Sequence, residues 1–182
     1  MHLFLLSSTL VSCSDDDEGN GGANISMNME VGTTKAKITH VFWNIYPEQS
    51  NSNGKFYQIE FYSFNPFTVT VKNFPNTFST FECGFYANGS DNELPTGSFD
   101  IEDFSGALNT TQYEDQYGTY IEIDKNKSGK LVISKEGNTY SVSITPLVIN
   151  YNTEDEKSYK TSTIPFSIKC VIPKAPYTLW EQ

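Results

Sequence analysis

Arginine is absent from this chain: all twelve basic side chains are lysines, set against 22 acidic ones for a formal charge of −10. Specific phosphate and nucleic-acid recognition leans on guanidinium forks and basic patches, so no nucleic-acid partner is expected. An acidic body is also repelled by anionic lipid headgroups, so the domain itself should not adhere to a membrane. Histidine is nearly absent: His2 and His40 are the only two. Ser-His-Asp catalysis would have to use His40, yet no serine sits among the glycines of a nucleophile elbow. One histidine and two widely separated cysteines leave no short-spaced ligand pair for zinc. No metal and no cofactor are predicted. Long apolar runs are missing as well. Leu3 to Val11, LFLLSSTLV, is nine residues, where a spanning helix needs about 20, and no later stretch comes close.

That short run is the length of a signal-peptide core, and it stops at Cys13. Leu10-Val11-Ser12-Cys13 fits the bacterial lipoprotein signal, in which small or apolar residues precede an obligatory cysteine. Its thiol receives a diacylglycerol before the preceding bond is cut, and several acyl chains together anchor far more firmly than one. A signal peptide should open with Lys or Arg, and Met1-His2 does not. The expectation is that the natural start lies upstream or that the chain is trimmed. The alternative is a chance apolar N-terminus with a buried cysteine. Four acids follow in Ser14-Asp15-Asp16-Asp17-Glu18; they repel one another, resist burial and stay solvated. A cysteine followed by serine and a run of aspartates resembles the surface-export signal of lipoproteins in the Bacteroidetes phylum. The resemblance implies a lipid-anchored protein of the outer membrane, exposed at the cell surface and held by its anchor alone. Residues 1–12 are thus read as signal peptide, 13–33 as lipidated cysteine and Gly-rich tether, and 34–182 as one domain.

The domain has a strand composition. Aromatics make up 14% of the chain, with 13 Phe and 11 Tyr, and no window shows a clean helical period. Period-two alternation recurs instead. Lys37 to Tyr46 is apolar on both faces; Phe56 to Phe64 places Tyr57, Ile59 and Phe61 on one side. Phe67 to Val71 (FTVTV) alternates throughout, and Ser98 to Phe104 turns Phe99 and Ile101 inward. From Thr119 to Asn150 runs a meander with turns at Gly129 and at Glu136-Gly137-Asn138, where the glycines supply positive φ. Ile164 to Ile172 is the last long strand, with Pro165 near its start. At most a helical turn is expected in Asn109 to Gln116. The fold class is all-β: a single antiparallel β-sandwich or flattened barrel of roughly 8–10 short strands. The series Pro95, Gly97, Phe99; Gly129, Leu131, Ile133; Gly137, Tyr140, Val142 also resembles a pattern in uncharacterised Bacteroidetes lipoproteins. That resemblance implies the same fold and location and brings no catalytic residues.

Several residues invite chemistry and yield to a simpler reading. Asp100/Glu102 and Glu122/Asp124 are carboxylate pairs two apart on a strand, roughly 7 Å from the strand rise. That separation is compatible with a glycosidase, but the acids alternate with Ile and Phe as the wet side of amphipathic strands. Asp124, Asn126, Ser128 and Gly129 echo the start of a calcium loop. Its twelfth position is Lys135 where a Glu belongs, and Glu136 misses by one, so a plain hairpin turn is expected. Cys83 and Cys170 sit on apolar faces and either pair across the core or serve as small buried hydrophobes. Tyr113, Tyr117 and Tyr120, among Glu114, Asp115 and two glutamines, form the binding candidate, since flat rings beside hydrogen-bonding groups suit sugars and protein interfaces. The competing reading is that these rings hold the loop down. The expected function is a non-enzymatic extracellular binding module, for a glycan or other nutrient. The alternative is an adhesin or assembly subunit that meets another protein.

Overall fold

The computed structural model describes residues 23–70, 72–111, 119–123, 129–153 and 160–176. Ten antiparallel strands follow in order: β1 (Ala23–Val31), β2 (Thr34–Asn51), β3 (Gly54–Tyr62), β4 (Thr77–Ala87), β5 (Gly97–Asp100), β6 (Asp103–Thr111), β7 (Thr119–Ile123), β8 (Lys130–Glu136), β9 (Thr139–Thr153) and β10 (Lys160–Cys170). There is no helix among the described residues, and so none long and apolar enough to cross a membrane. The all-β expectation holds. The strands form one curled sheet in the order β1-β2-β3-β4-β6-β7-β9-β8-β5, with β10 on the other edge of β9. β9 is long enough to hold two neighbours in succession along one edge: β8 against Thr139 to Thr145, then β7 against Ile149 to Thr153. The sheet thereby splits and folds back on itself as a sandwich-like half-barrel.

The curl encloses an apolar interior. Tyr57, Ile59 and Phe61 of β3 and Phe81, Cys83 and Phe85 of β4 are almost wholly buried there, with Phe104, Leu131, Ile144 and Phe166 from the later strands. Phe61 stacks on Phe81 with ring centres 4.4 Å apart, and Phe166 meets Phe61 edge-on at 5.2 Å. β2 is covered on both faces, as its two-sided apolar pattern predicts: Val41, Phe42, Trp43 and Asn44 are buried in succession. The segment after β10 closes over it, where the Trp43 N–H donates to Pro173 O at 3.0 Å and the Ala175 N–H donates to Trp43 O at 2.8 Å. The β8–β9 hairpin turns at Gly137 with φ of 59°, the left-handed conformation its position calls for.

Four expectations need correction or sharpening. The folded strands do not wait for Thr34: β1 pairs with β2 from Ala23 and buries Ile25, Met27, Met29 and Val31, so 23–33 belong with the sheet. Phe67 and Thr68 lie in a turn and Val69 and Thr70 are irregular, so none of the four is strand. Asn65 takes up the local donors, its Oδ1 accepting from the Phe67 N–H at 3.0 Å and its carbonyl from the Thr68 N–H at 3.3 Å, and Pro66 between them offers no donor for a ladder. Of the stretch Asn109 to Gln116, where a helical turn is expected, Asn109 to Thr111 belongs to β6, and 112–116 lie outside the described residues. Cys83 and Cys170 are separate buried thiols, and burial raises the pKa of Cys83 far above that of an ordinary thiol.

Candidate functional site

The outer face of the β2–β3–β4–β6 region is polar yet largely buried. Period-two alternation turns Gln58, Glu60 and Tyr62 away from the core residues Tyr57, Ile59 and Phe61. In β3 Glu60 stands directly opposite Glu82 of β4, which stands opposite Ser105 of β6. Side chains in such a row are about 5 Å apart at Cβ, and like charges placed there repel. Glu60 is only 5% exposed. Each of its oxygens accepts one tyrosine hydroxyl, from Tyr46 at 2.8 Å and from Tyr62 at 2.6 Å. Burial raises the Glu60 pKa, while the bonds from Tyr62 and Tyr46 oppose that rise. The same burial and the Glu60 charge drive both tyrosine hydroxyls well above their ordinary values. Glu82 is pushed up to about 7, first by burial and then by the charges of Asp103 and Glu60, against bonds from Gln58 and Ser105. Among the described residues no ion pair reaches Glu60 or Glu82.

The lid over this face is built from residues 63–70 and 72–76, around the Phe67 to Val71 stretch whose alternation suggests a strand. It is pinned at its base, where the Ser63 N–H donates to Ser79 O at 2.9 Å and the Ser79 N–H to Ser63 Oγ at 2.8 Å. Phe64, Phe74 and Phe78 form a triangle of edge-on rings, with centres 5.0, 5.9 and 5.2 Å apart. A bulge sets the geometry beneath them: β6 places Leu108 and Asn109 opposite Ser79 alone, so the register shifts between Phe78 and Thr80. Asn109 takes φ of 55° there. It is held by its N–H to Ser79 Oγ at 2.8 Å and its Nδ2 to Lys35 O at 3.0 Å. Gly106 lets the strands close, since a Cβ would lie 2.3 Å from Thr80 O and 2.5 Å from Phe81 Cα.

Between lid and sheet lies a partly open pocket of about 380 Å³, with Glu60, Glu82, Tyr46, Tyr62 and Ser105 on the sheet side. Its opposite walls come from Phe64, Pro66, Val69, Phe74 and Phe78. That volume is within the usual range for small-ligand sites, which join apolar walls to a few convergent polar groups. A second hollow of about 630 Å³ near Gly54 and Gly89 is wide and shallow. Its lysine, Lys55, already donates to Gly89 O at 2.9 Å and to Asp91 Oδ1 at 2.7 Å.

The residues singled out in the sequence lie elsewhere, or beside this pocket. Cys13, Ser14, Asp15, Asp16, Asp17 and Glu18 lie outside the described residues, as do Tyr113, Tyr117, Asp124, Asn126 and Ser128. Tyr120 is described: it is 37% exposed and stands opposite Ala107, whose other neighbour is the pocket residue Thr80. It therefore shares the pocket's face, two strands away. Asp100 pairs with Lys130 at the surface. Glu102 lies exposed between β5 and β6, with its N–H donating to Gly84 O at 2.9 Å. Glu122 is exposed on β7. His40 is half-buried opposite Tyr62 with Thr39 Oγ1 2.9 Å from Nδ1, and burial lowers its pKa. The pocket carboxylates were missed because Glu60 and Glu82 read as the wet positions of alternating strands. The available signal was the phenylalanine-rich segment directly after β3, too apolar for an ordinary solvated loop. No protein-family model, no curated protein and no solved structure matches this chain.

Proposed function

We propose that this protein is a lipid-anchored, non-enzymatic binding module of the bacterial outer membrane, displayed at the cell surface, and that it holds a small ligand in the pocket beneath segment 63–76. The observation that carries this reading is the pocket itself, an apolar aromatic lid over a buried polar floor. Binding is favoured over catalysis because both Glu60 oxygens already accept tyrosine hydroxyls and the Ser105 hydroxyl already donates to Glu82 at 3.4 Å. A small ligand is favoured over a protein partner because the exposed large hydrophobics among the described residues are only Tyr120, Val132 and Val171, on separate strands or beyond them. Such scattered residues are ordinary surface and do not form a docking patch.

The anchor and the pocket have separate tests. In a full-length precursor, Cys13→Ser should abolish lipid labelling and processing before residue 13, and Ala at Asp15, Asp16 and Asp17 should leave lipidation intact while reducing protease access on whole cells. Full detergent partitioning of the serine variant would place the anchor elsewhere. For the pocket, Thr80→Trp should fill the cavity from β4. A library of saccharides, amino acids and amines, followed by NMR shifts at the Phe74 and Phe78 rings, should give hits on the native protein that the filled variant loses. Hits that survive the filling belong to another surface.

A further inference from the structure

Resting on the reading of this pocket as a ligand site, we infer that its ligand is an organic ammonium ion: a protonated amine seated at Glu60 and Glu82, with its hydrocarbon body against Phe64, Phe74 and Phe78. The first argument is charge. Two glutamates face each other across adjacent strands, one of them 5% exposed, and among the described residues no ion pair compensates either. Asp103, on β6, adds to the same negative field. Buried carboxylates without a counter-ion cost stability, and a cation in the pocket removes that cost. An anion would deepen it.

The second argument is the wall. The wall facing the carboxylates is aromatic and aliphatic carbon throughout: Phe64, Pro66, Val69 and Phe74 of the lid and Phe78 of β4. Calcium or magnesium requires six or more oxygen ligands or retained waters and zinc three or four protein ligands, and no group of three or more metal-binding side chains occurs among the described residues. A neutral sugar would stack on the rings but leave the charge of Glu60 and Glu82 uncompensated. An alkyl or aryl ammonium matches both halves at once. Its head donates charge-assisted hydrogen bonds to the carboxylates, which are shorter and stronger than neutral ones, and aromatic rings near a cation add electrostatic attraction.

Proton linkage follows from the same groups. Glu82 faces Glu60 and Gln58 from β3 and Ser105 and Asp103 from β6, with Tyr46 and Tyr62 beyond Glu60 and the carbon lid above. With its pKa near 7, Glu82 is largely protonated in mild acid, and an arriving cation must displace that proton. Affinity for the ammonium should therefore rise with pH through neutrality, while affinity for an uncharged analogue stays flat.

The test is calorimetric titration of the intact protein with phenethylammonium, phenethyl alcohol and phenylacetate at pH 8 and pH 5.5. At pH 8 the ammonium should bind about tenfold or more tighter than the alcohol, as one charge-assisted contact implies, and phenylacetate should not bind. The preference should shrink at pH 5.5. Glu82→Gln should reduce it at pH 8 without changing affinity for the alcohol, while Phe74→Ala should weaken both. Equal affinity for alcohol and ammonium in the native protein would overturn the cation inference and leave the pocket reading intact. Absence of binding by all three probes would overturn both. An ammonium preference indifferent to Glu82→Gln would place the cation elsewhere and overturn the inference.

Discussion

The two faces of β3 are equally hidden from water and chemically opposite. On the inner face Tyr57, Ile59 and Phe61 pack into the core; on the outer face Gln58 and Glu60 are 5% exposed and Tyr62 is 8% exposed. Alternation in a strand usually separates dry from wet. Here a lid formed by 63–76 converts the wet side into an interior without converting its residues into hydrocarbon. The inner face therefore supplies stability by packing, and the outer face supplies a solvent-shielded arrangement of charge. Burial by itself does not distinguish core from site; what distinguishes them is whether the buried groups satisfy one another.

That contrast can be broken most severely from the inside. Phe61→Ala removes a ring stacked on Phe81 and edge-on to Phe166. It should cost about 3–5 kcal/mol of unfolding free energy, read as a lowered urea midpoint. A loss below 1 kcal/mol would mean that the curled interior is not closely packed.

Next comes the pH dependence of the outer face. Glu82 has its folded pKa raised to about 7 from an ordinary 4.5. The folded state therefore binds the extra proton between those values, and its contribution is fully present below about pH 4.5 and lost as pH rises through about 7. The loss is at most about 3 kcal/mol, at 1.36 kcal/mol per pH unit, and partial exposure reduces it. Glu82→Gln should flatten the stability profile over this window and be more stable than the native protein at pH 8. Denaturant titrations at pH 5 and pH 8 compare the two.

Removing one hydroxyl is a smaller perturbation. Tyr62→Phe deletes the 2.6 Å bond to Glu60 Oε2 and should cost about 1–3 kcal/mol, because a buried charged acceptor is left short of a donor. The same change on the inner face, Tyr57→Phe, deletes a bond to Ser90 O at 2.9 Å and should cost less, since that acceptor is neutral. Equal costs in thermal melts would remove the electrostatic distinction between the faces. Smallest of all, Lys130→Ala breaks an ion pair with Asp100 whose side chains are 58% and 75% exposed. Its effect should stay within about 1 kcal/mol and vanish in high salt.

Much of the architecture was legible along the chain. The alternation of Tyr140, Val142 and Ile144 with Ser141, Ser143 and Thr145 marked β9, and these apolar positions are buried. β1 carried the same kind of signal in Ile25, Met27, Met29 and Val31, yet its asparagines and the preceding glycines made it read as tether. FTVTV misled in the other direction. Its period of two is that of a strand, but Asn65 and Pro66 direct its leading amides into local turns. The pocket was illegible because its two halves are unrelated in sequence pattern. Glu60 and Glu82 looked solvated, and nothing local says that Phe64, Phe74 and Phe78 will fold over them.

What the sequence by itself determined is the class of structure and the sidedness of each strand, because period-two patterning and β-branched or aromatic content act over a few residues and require no partner. It also determined the charge, since the absence of arginine and the net charge of −10 hold in any fold. Tertiary structure alone decided that Glu60 meets Glu82, that two tyrosine hydroxyls converge on one carboxylate, and that a phenylalanine lid hides them. Those relations depend on strand register and on a bulge at Ser79 and Asn109, and on the closure of segment 63–76 over the sheet. Register is set by packing across the whole sheet, so the environment that perturbs a carboxylate is a property of the assembled fold and not of the residues beside it in the chain.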